Sequence, residues 1–196
     1  MEILKVDLSD QNIIKQIAVC YQKTFGEHPW HEGYRCPKCN KSFSLMCAKK
    51  LCDHCNHELV LYWPLDKIET DFMYEMTKDN AICYVAKMND EIIGFAWGYQ
   101  VILNQEFDLY VNAPGLSMQF ENRNFFYLDE IGIIPNCQCK GIGKKLAFEI
   151  FNSQSYNVLL RTLNNTQMSS MIERMGGENI FNLPDSQKII MKLDLV

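Results

Sequence analysis

The sequence predicts an α/β domain, a mixed sheet with helices on both faces, interrupted by one small cysteine-rich insert. Three observations carry that expectation. In the second half, apolar strand-like runs alternate with helix-period runs: FFYLDEIGII, GIGKKLAFEIFNSQ, YNVLLRTL, TQMSSMIERMG and KIIMKLDLV. In the first half, AICYVAKM and EIIGFAWGYQVI flank Asn89-Asp90, a tight-turn dipeptide that marks a hairpin. Residues 36–57 read CPKCNKSFSLMCAKKLCDHCNH, two CxxC pairs separated by twelve residues.

The elements follow in order. Residues 2–8 form a short strand, and Ser9 or Asp10 stands where a helix cap is needed. Ile13, Ile14, Ile17, Ala18 and Tyr21 then recur at helical spacing, and Gly26 and Pro29 end that helix. After the cysteine block, Pro64 opens a second helix with Ile68, Phe72 and Met76 along one face. The hairpin comes next. Residues 104–124 are polar, contain NAPG and read as an irregular loop or partner surface. A third strand runs to Pro135, and helix, strand, helix and a final strand complete the chain. The expected order is β-α-(insert)-α-β-β-β-α-β-α-β. Its 196 residues, 47% hydrophobic and 22% charged, suit one domain over 1–196 with an insert at 31–62.

A net charge of -5 argues against a dedicated nucleic-acid binder, which carries a basic excess. The start MEILKVDLSD is acidic and not a secretory signal, and the apolar run EIIGFAWGYQVIL is too short to span a bilayer. The expectation is a cytoplasmic protein with no membrane partner, its nine cysteines reduced.

Cys36, Cys39, Cys52 and Cys55 have the C-x2-C-x12-C-x2-C spacing of a four-thiolate zinc ribbon, because each CxxC turn aims two sulfurs at one point. Asn40 and Asn56 follow the second cysteine of each pair, where such a turn needs a left-handed residue. Lys38, Lys41, Lys49 and Lys50 are close enough in sequence to offset the charge of four thiolates. His54 and His57 are not needed as ligands, and Cys47 is a bystander. With every coordination position filled by protein, Zn2+ here would be structural rather than catalytic. Cys137 and Cys139 read as small residues filling a loop.

The most informative segment is YLDEIGIIPNCQCKGIGKKL, residues 127–146: a strand, a proline, two glycines and a helix. Glycines let backbone approach a ligand, and the free amides of a helix N-terminus suit phosphate. Neither the P-loop nor the dinucleotide fingerprint fits this spacing. A strand, Pro135 and then QCKGIG opening an amphipathic helix resembles motif A of the GNAT superfamily of N-acetyltransferases, whose pattern is [RQ]xxGx[GA]. The hairpin before it and NVLLRTLNNTQMSSMIERMGG after it resemble the flanking family elements, so the likeness covers most of the chain outside residues 30–62. It implies the GNAT (acyl-CoA N-acyltransferase) fold and acetyl-CoA as co-substrate. It places Ile131, Gly132 and Ile133 along the pantetheine arm, and the amides of Cys139, Lys140, Gly141, Ile142, Gly143 and Lys144 on the pyrophosphate. Asn165 matches a cofactor-contacting position.

Acetyl transfer needs a neutral amine and a protonated leaving thiolate. By the resemblance, Asp129 or Glu130 is the general base, and adjacent strand residues face opposite ways, so only one can serve. Asp129 aligns with the catalytic Asp of aminoglycoside-type relatives and Tyr127 shares its face, so Asp129 is preferred. The tyrosine that many relatives use as general acid is replaced by Ile172, with Ser169 and Ser170 nearby. Trp30, His31, Tyr34, Tyr62 and Trp63 at the base of the insert either gate the acceptor site or anchor the ribbon. Two functions stay open: an N-acetyltransferase acting on a primary amine of a small molecule, peptide or protein, or a non-catalytic acetyl-CoA-binding module whose ribbon docks protein or nucleic acid. Edge strands in this superfamily often pair, so the resemblance allows a homodimer, and the sequence leaves the oligomeric state open.

Overall fold

In the computed structural model, residues 1–47, 49–120, 123–184 and 186–195 are described. The elements are β1 (Glu2–Lys5), α1 (Gln11–Phe25), β2 (Tyr34–Arg35), β3 (Ser42–Phe43), β4 (Val60–Leu61), α2 (Leu65–Glu75), β5 (Ile82–Met88) and β6 (Glu91–Ile102), followed by α3 (Gln105–Val111), β7 (Asn124–Ile133), α4 (Ile142–Asn152), β8 (Val158–Leu163), α5 (Gln167–Arg174), β9 (Glu178–Asn182) and β10 (Lys188–Leu193). Seven strands form one sheet in the order β1-β5-β6-β7-β8-β10-β9, and β2, β3 and β4 form a separate small sheet. β7 and β8 run parallel, whereas β1/β5, β8/β10 and β9/β10 are antiparallel, so the central sheet is mixed.

Local chemistry explains most boundaries. Asp10 caps α1 by accepting from the amides of Asn12 and Ile13. Asn89 and Asp90 both take positive φ, 49° and 64°, as the two-residue hairpin between β5 and β6 requires. The first strand stops at Lys5 rather than running to residue 8, because the Asp7 carboxylate accepts from the Ser9 amide and turns the chain.

Two elements differ from the expectation. The stretch read as an irregular loop contains α3, capped by Asn104 and closed by Asn112 in the left-handed conformation at φ 57°. Beyond it, the buried Asp108 carboxylate accepts from the amides of Gly115 and Ser117 and from the Ser117 hydroxyl. Two helical turns are too few for a readable period, and the buried Asp108 and exposed Leu109 scramble the pattern around the buried Phe107 and Val111. Residues 121–122 of that stretch lie outside the described residues. β9 was not anticipated either: its sequence ENIFN is largely polar, and among the described residues it pairs along one edge, with β10.

The chain divides into two compact units. The first holds Met1–Tyr74, Tyr84–Phe95 and Ile131–Leu146. In it, α1 buries Ile14, Ile17, Ala18, Tyr21 and Phe25, and Tyr21 stacks on Phe95 with ring centroids 5.7 Å apart. A Cβ on Gly132 would lie 2.6 Å from Phe95 and 2.8 Å from Thr24, so this position of β7 has no room for a side chain. The second unit holds Glu75–Cys83, Ala96–Glu130 and Ala147–Val196, with a core of Tyr99, Leu103, Phe107, Phe125, Tyr127 and Leu159 among others. Among the described residues no helix is long and apolar enough to cross a membrane.

Candidate active site

The cysteine block folds as two matching turns. The amide of Cys36 donates to the Lys41 carbonyl and that of Asn40 to Cys36; the amide of Cys52 donates to His57 and that of Asn56 to Cys52. Asn40 and Asn56 have φ of 57° and 58°, the left-handed conformation these turns need. The four sulfurs of Cys36, Cys39, Cys52 and Cys55 lie within 4.8 Å of one another, with Cys36–Cys55 at 3.2 Å and Cys39–Cys52 at 3.6 Å. A tetrahedral zinc with Zn–S bonds of about 2.3 Å spaces its sulfurs about 3.8 Å apart, so the cluster fits that ion. Burial pushes the Cys36 thiol up, but amide and thiol donors from Cys39, Cys55 and Lys38 outweigh it and bring the group down to about 6. Lys41 and Lys49 both pair with Asp53, at 2.8 and 3.4 Å.

The base of the insert is tied to α1. The Leu45 amide donates to the Gly26 carbonyl, and the Ser44 hydroxyl and Met46 amide donate to the Glu27 carboxylate. The Trp63 indole donates to Glu32 at 2.7 Å, its carbonyl accepts from Gln22, and its ring meets Tyr21 edge-on at 6.0 Å. Trp30 packs edge-on against Phe25. These contacts give Trp30 and Trp63 an anchoring role.

After β7 the chain makes a short 3₁₀ turn at Pro135–Cys137, then enters α4. Gln138 returns a hydrogen bond to the Ile133 carbonyl at 3.0 Å, and Lys140 donates to the Asn136 carbonyl at 3.0 Å. Cys139 and Gly141 both have positive φ, 61° and 76°. A Cβ on Gly141 would meet nothing within 4 Å, and one on Gly143 would meet only Ile133 at 4.0 Å. The chain is therefore uncrowded over Gly141 and Gly143, at the start of a helix whose N-terminus carries partial positive charge. Asn165 sits at φ 57° after β8, exposed, and Thr166 caps α5. Ser169 completes that cap by accepting from the Thr166 amide and donating to the Thr166 carbonyl, so its hydroxyl is occupied. Ile172 is fully buried.

In the second unit a polar cluster forms around Asp129. The Tyr99 hydroxyl donates to Asp129 Oδ2 at 3.0 Å, and the Tyr110 hydroxyl lies 3.3 and 3.4 Å from the two carboxylate oxygens. Glu75, the last residue of α2, hydrogen-bonds Asp129 through its carboxyl and receives the Trp97 indole N–H at 2.6 Å. The Lys78 ammonium lies 3.6 Å from the Tyr99 ring centroid and 5.3 Å from that of Tyr110. Arg161 on β8 contributes positive charge to Asp129 and reaches the Val111 carbonyl at 3.4 Å. Burial raises the Asp129 carboxyl above its ordinary range against the pull of Tyr99, Glu75, Lys78 and Arg161. Burial, then the charge of Asp129, raises Glu75 to about 8. Burial and the same charge lift the phenols of Tyr99, Tyr110 and Tyr127, which stay protonated. Sequence reasoning singled out Asp129 and Tyr127 here but missed Glu75, Lys78, Trp97, Tyr99, Tyr110 and Arg161. Trp97 and Tyr99 alternate on β6 and so share a face, a signal that was legible; Glu75 gave none.

This raised carboxyl has a stability consequence. Between its ordinary value near 4.5 and its folded value of about 8, Glu75 keeps a proton in the folded state that the unfolded chain has released. Stability therefore falls as pH rises through that window. Glu75→Gln removes the penalty and raises stability at pH 8.5 by about 1–3 kcal/mol while changing little at pH 4.5. Thermal melts of the two proteins at both pH values check it.

Residues 48–176 match the model of the acetyltransferase (GNAT) family. The chain belongs to that family. Solved structures share its fold at low identity. PH1933 from Pyrococcus horikoshii OT3 is 14% identical, covers 100% of this chain and 98% of its own, and superposes with a TM-score of 0.63. PaiA N-acetyltransferase from Thermoplasma acidophilum, solved with coenzyme A, is 13% identical over 99% of this chain and 98% of its own, with a TM-score of 0.55. Ribosomal-protein-S18-alanine N-acetyltransferase from Escherichia coli is 13% identical over 98% and 92%, with a TM-score of 0.53. No curated protein matches this GNAT chain in sequence.

Proposed function

We propose that this GNAT chain transfers acetyl from acetyl-CoA to a primary amine carried by a small molecule, peptide or protein. The observation that carries the reading is the turn between Pro135 and α4, where Cys139 and Gly141 take positive φ and no neighbour crowds the Cα of Gly141 or Gly143, at the start of a helix whose N-terminus suits a diphosphate. The extended backbone of Ile131, Gly132 and Ile133 pairs with the amide-bearing pantetheine arm as an added strand does. The amides of Cys139, Lys140, Gly141, Ile142, Gly143 and Lys144 take the pyrophosphate, and Asn165 contacts the cofactor. The coenzyme A complex of the Thermoplasma acidophilum neighbour supports that ligand class, and the protein-amine acceptor named for the Escherichia coli neighbour supports an amine acceptor.

The reaction asks for one proton acceptor and one proton donor. Asp129 takes a proton from the acceptor ammonium, and Glu130 is the second choice because it alternates to the other face of β7. The freed nitrogen attacks the thioester carbonyl, the C–S bond breaks, and the thiolate leaves with a proton drawn from the attacking nitrogen. Ile172 offers no proton, and Ser169 is engaged in a helix cap. The four cysteines hold a structural Zn2+ that fixes the insert and takes no part in the transfer. The non-catalytic reading, in which the ribbon docks protein or nucleic acid, has no comparable observation behind it. Thiol release from acetyl-CoA in the presence of kanamycin, spermidine, a lysine peptide and a peptide with a free N-terminal alanine tests the proposal. Amine-dependent release supports it; release no faster than without enzyme for all four overturns it.

A further inference from the structure

Two half-buried carboxyls lie together in the second unit, and only one of them is explained by the proton transfer described above. We propose that Glu75 and Asp129 act as one proton-sharing pair, in which Glu75 is a positioning residue that sets the pH at which Asp129 becomes a base. The chemical use of the pair rests on the acetyltransferase reading; the pairing rests on Trp97 and Tyr99, which alternate on β6 and hold Glu75 and Asp129 on one face of that strand.

Among the described residues, donors and charges from several elements face the pair. From β6, the Trp97 indole holds one Glu75 oxygen at 2.6 Å, and the Tyr99 hydroxyl holds Asp129 Oδ2 at 3.0 Å. From α3, the Tyr110 hydroxyl reaches the same carboxylate. Each carboxyl is fixed by donors from its own side, and the two hydrogen-bond each other. Carboxylates accept and do not donate, so that bond requires a proton between them. Lys78, after α2, and Arg161, on β8, add positive charge near Asp129, and the phenols of Tyr99, Tyr110 and Tyr127 remain neutral. The cations ease the loss of the shared proton; burial and mutual repulsion of the carboxylates oppose it. Loss of that proton belongs to the pair rather than to either residue.

A lone exposed carboxylate is a feeble base toward an alkylammonium, whereas catalysis is best served by a base that titrates near the working pH. The pair supplies one. In its dianionic form it takes one proton from the acceptor ammonium, leaving a neutral amine and a singly protonated pair. The amine nitrogen bonds to the thioester carbon, the C–S bond breaks, and the nitrogen's second proton ends on the departing sulfur. The shared proton then passes to water. The sum is ammonium plus acetyl thioester giving amide, thiol and one proton.

The test uses Glu75→Gln, which can still accept from Trp97 and donate to Asp129, with Glu75→Asp and Asp129→Asn beside it. Carboxyl carbons of 13C-labelled Asp and Glu are followed by NMR from pH 4 to 10 in the free protein. The expected result is one carboxyl whose last transition lies near 8, lost in Glu75→Gln, and moved down by at least one pH unit in Asp129→Asn. If both carboxyls titrate in the ordinary range, or if Glu75→Gln leaves the Asp129 transition in place, the pairing is overturned whatever the enzyme does. In the thiol-release assay with the same four amines, the acid limb of kcat/KM should move at least one pH unit lower in Glu75→Gln and return toward wild type in Glu75→Asp. A lower rate with an unmoved limb assigns Glu75 a merely structural part and overturns the proposal. A paired titration without thiol release to any amine at any pH overturns the acetyltransferase reading and the pair's use as a base.

Discussion

Asp129→Asn lowers kcat for acetyl transfer by about 10²–10⁴-fold at pH 7.5, the range that a positioned acid–base group supplies. Binding of coenzyme A stays within a few-fold of wild type, because the residues proposed to grip it are main-chain amides downstream of Asp129. Asparagine preserves shape, and its side-chain carbonyl can still accept from the Tyr99 hydroxyl that lies 3.0 Å from Asp129. What it cannot do is take a proton. Steady-state kinetics and a calorimetric titration on the same preparation separate the two effects. Unchanged turnover would move the base to Glu130 or to water. Lost turnover together with lost coenzyme A binding would mean a folding defect rather than a chemical one.

The second large effect concerns the cysteine cluster. Its hydrophobic core consists of Cys36, Phe43, Cys52 and Leu59, with Tyr34, Cys39, Cys47 and Cys55 packed around it. Three strands of two residues around four buried side chains cannot stand by apolar burial alone. A structural zinc supplies about 10–16 kcal/mol in small metal-nucleated folds, several times what such a core provides. The expected metal content is one zinc per chain. Chelation, or Cys36→Ser, unfolds the insert while the central sheet persists. Metal analysis gives the content. Hydrogen exchange at the Cys36 and Cys52 amides, which donate to Lys41 and His57 carbonyls, reports the unfolding. Protection at those amides that survives complete metal removal would contradict this account.

Much of this was legible because local chemistry dictates it. The CxxC pairs with trailing Asn40 and Asn56 specify two left-handed turns, and both appear at φ near 57°. Asn89-Asp90 specifies the hairpin, Asp10 the first cap, and QCKGIG the loop that opens α4. Elements whose identity depends on tertiary burial were not legible. α3 spans two turns, and its structure depends on Asp108 accepting from backbone and hydroxyl groups up to nine residues away, which no periodicity shows. The polar strand β9 exists because β10 pairs with it. In the candidate site the sequence singled out Asp129, since a motif places it on β7. It could not reveal Glu75, which is 54 residues distant in sequence and reaches Asp129 only through the fold.

The central claim is that main-chain amides between Pro135 and α4 hold the diphosphate of coenzyme A. Calorimetric titration of coenzyme A into the wild-type protein, with and without inorganic pyrophosphate, tests it most directly. The account predicts one-site binding that pyrophosphate competes away and that Gly141→Val weakens by about tenfold or more, because a β-branched residue is strained at the φ of 76° found there. Absence of binding heat, or binding indifferent both to pyrophosphate and to Gly141→Val, would contradict it.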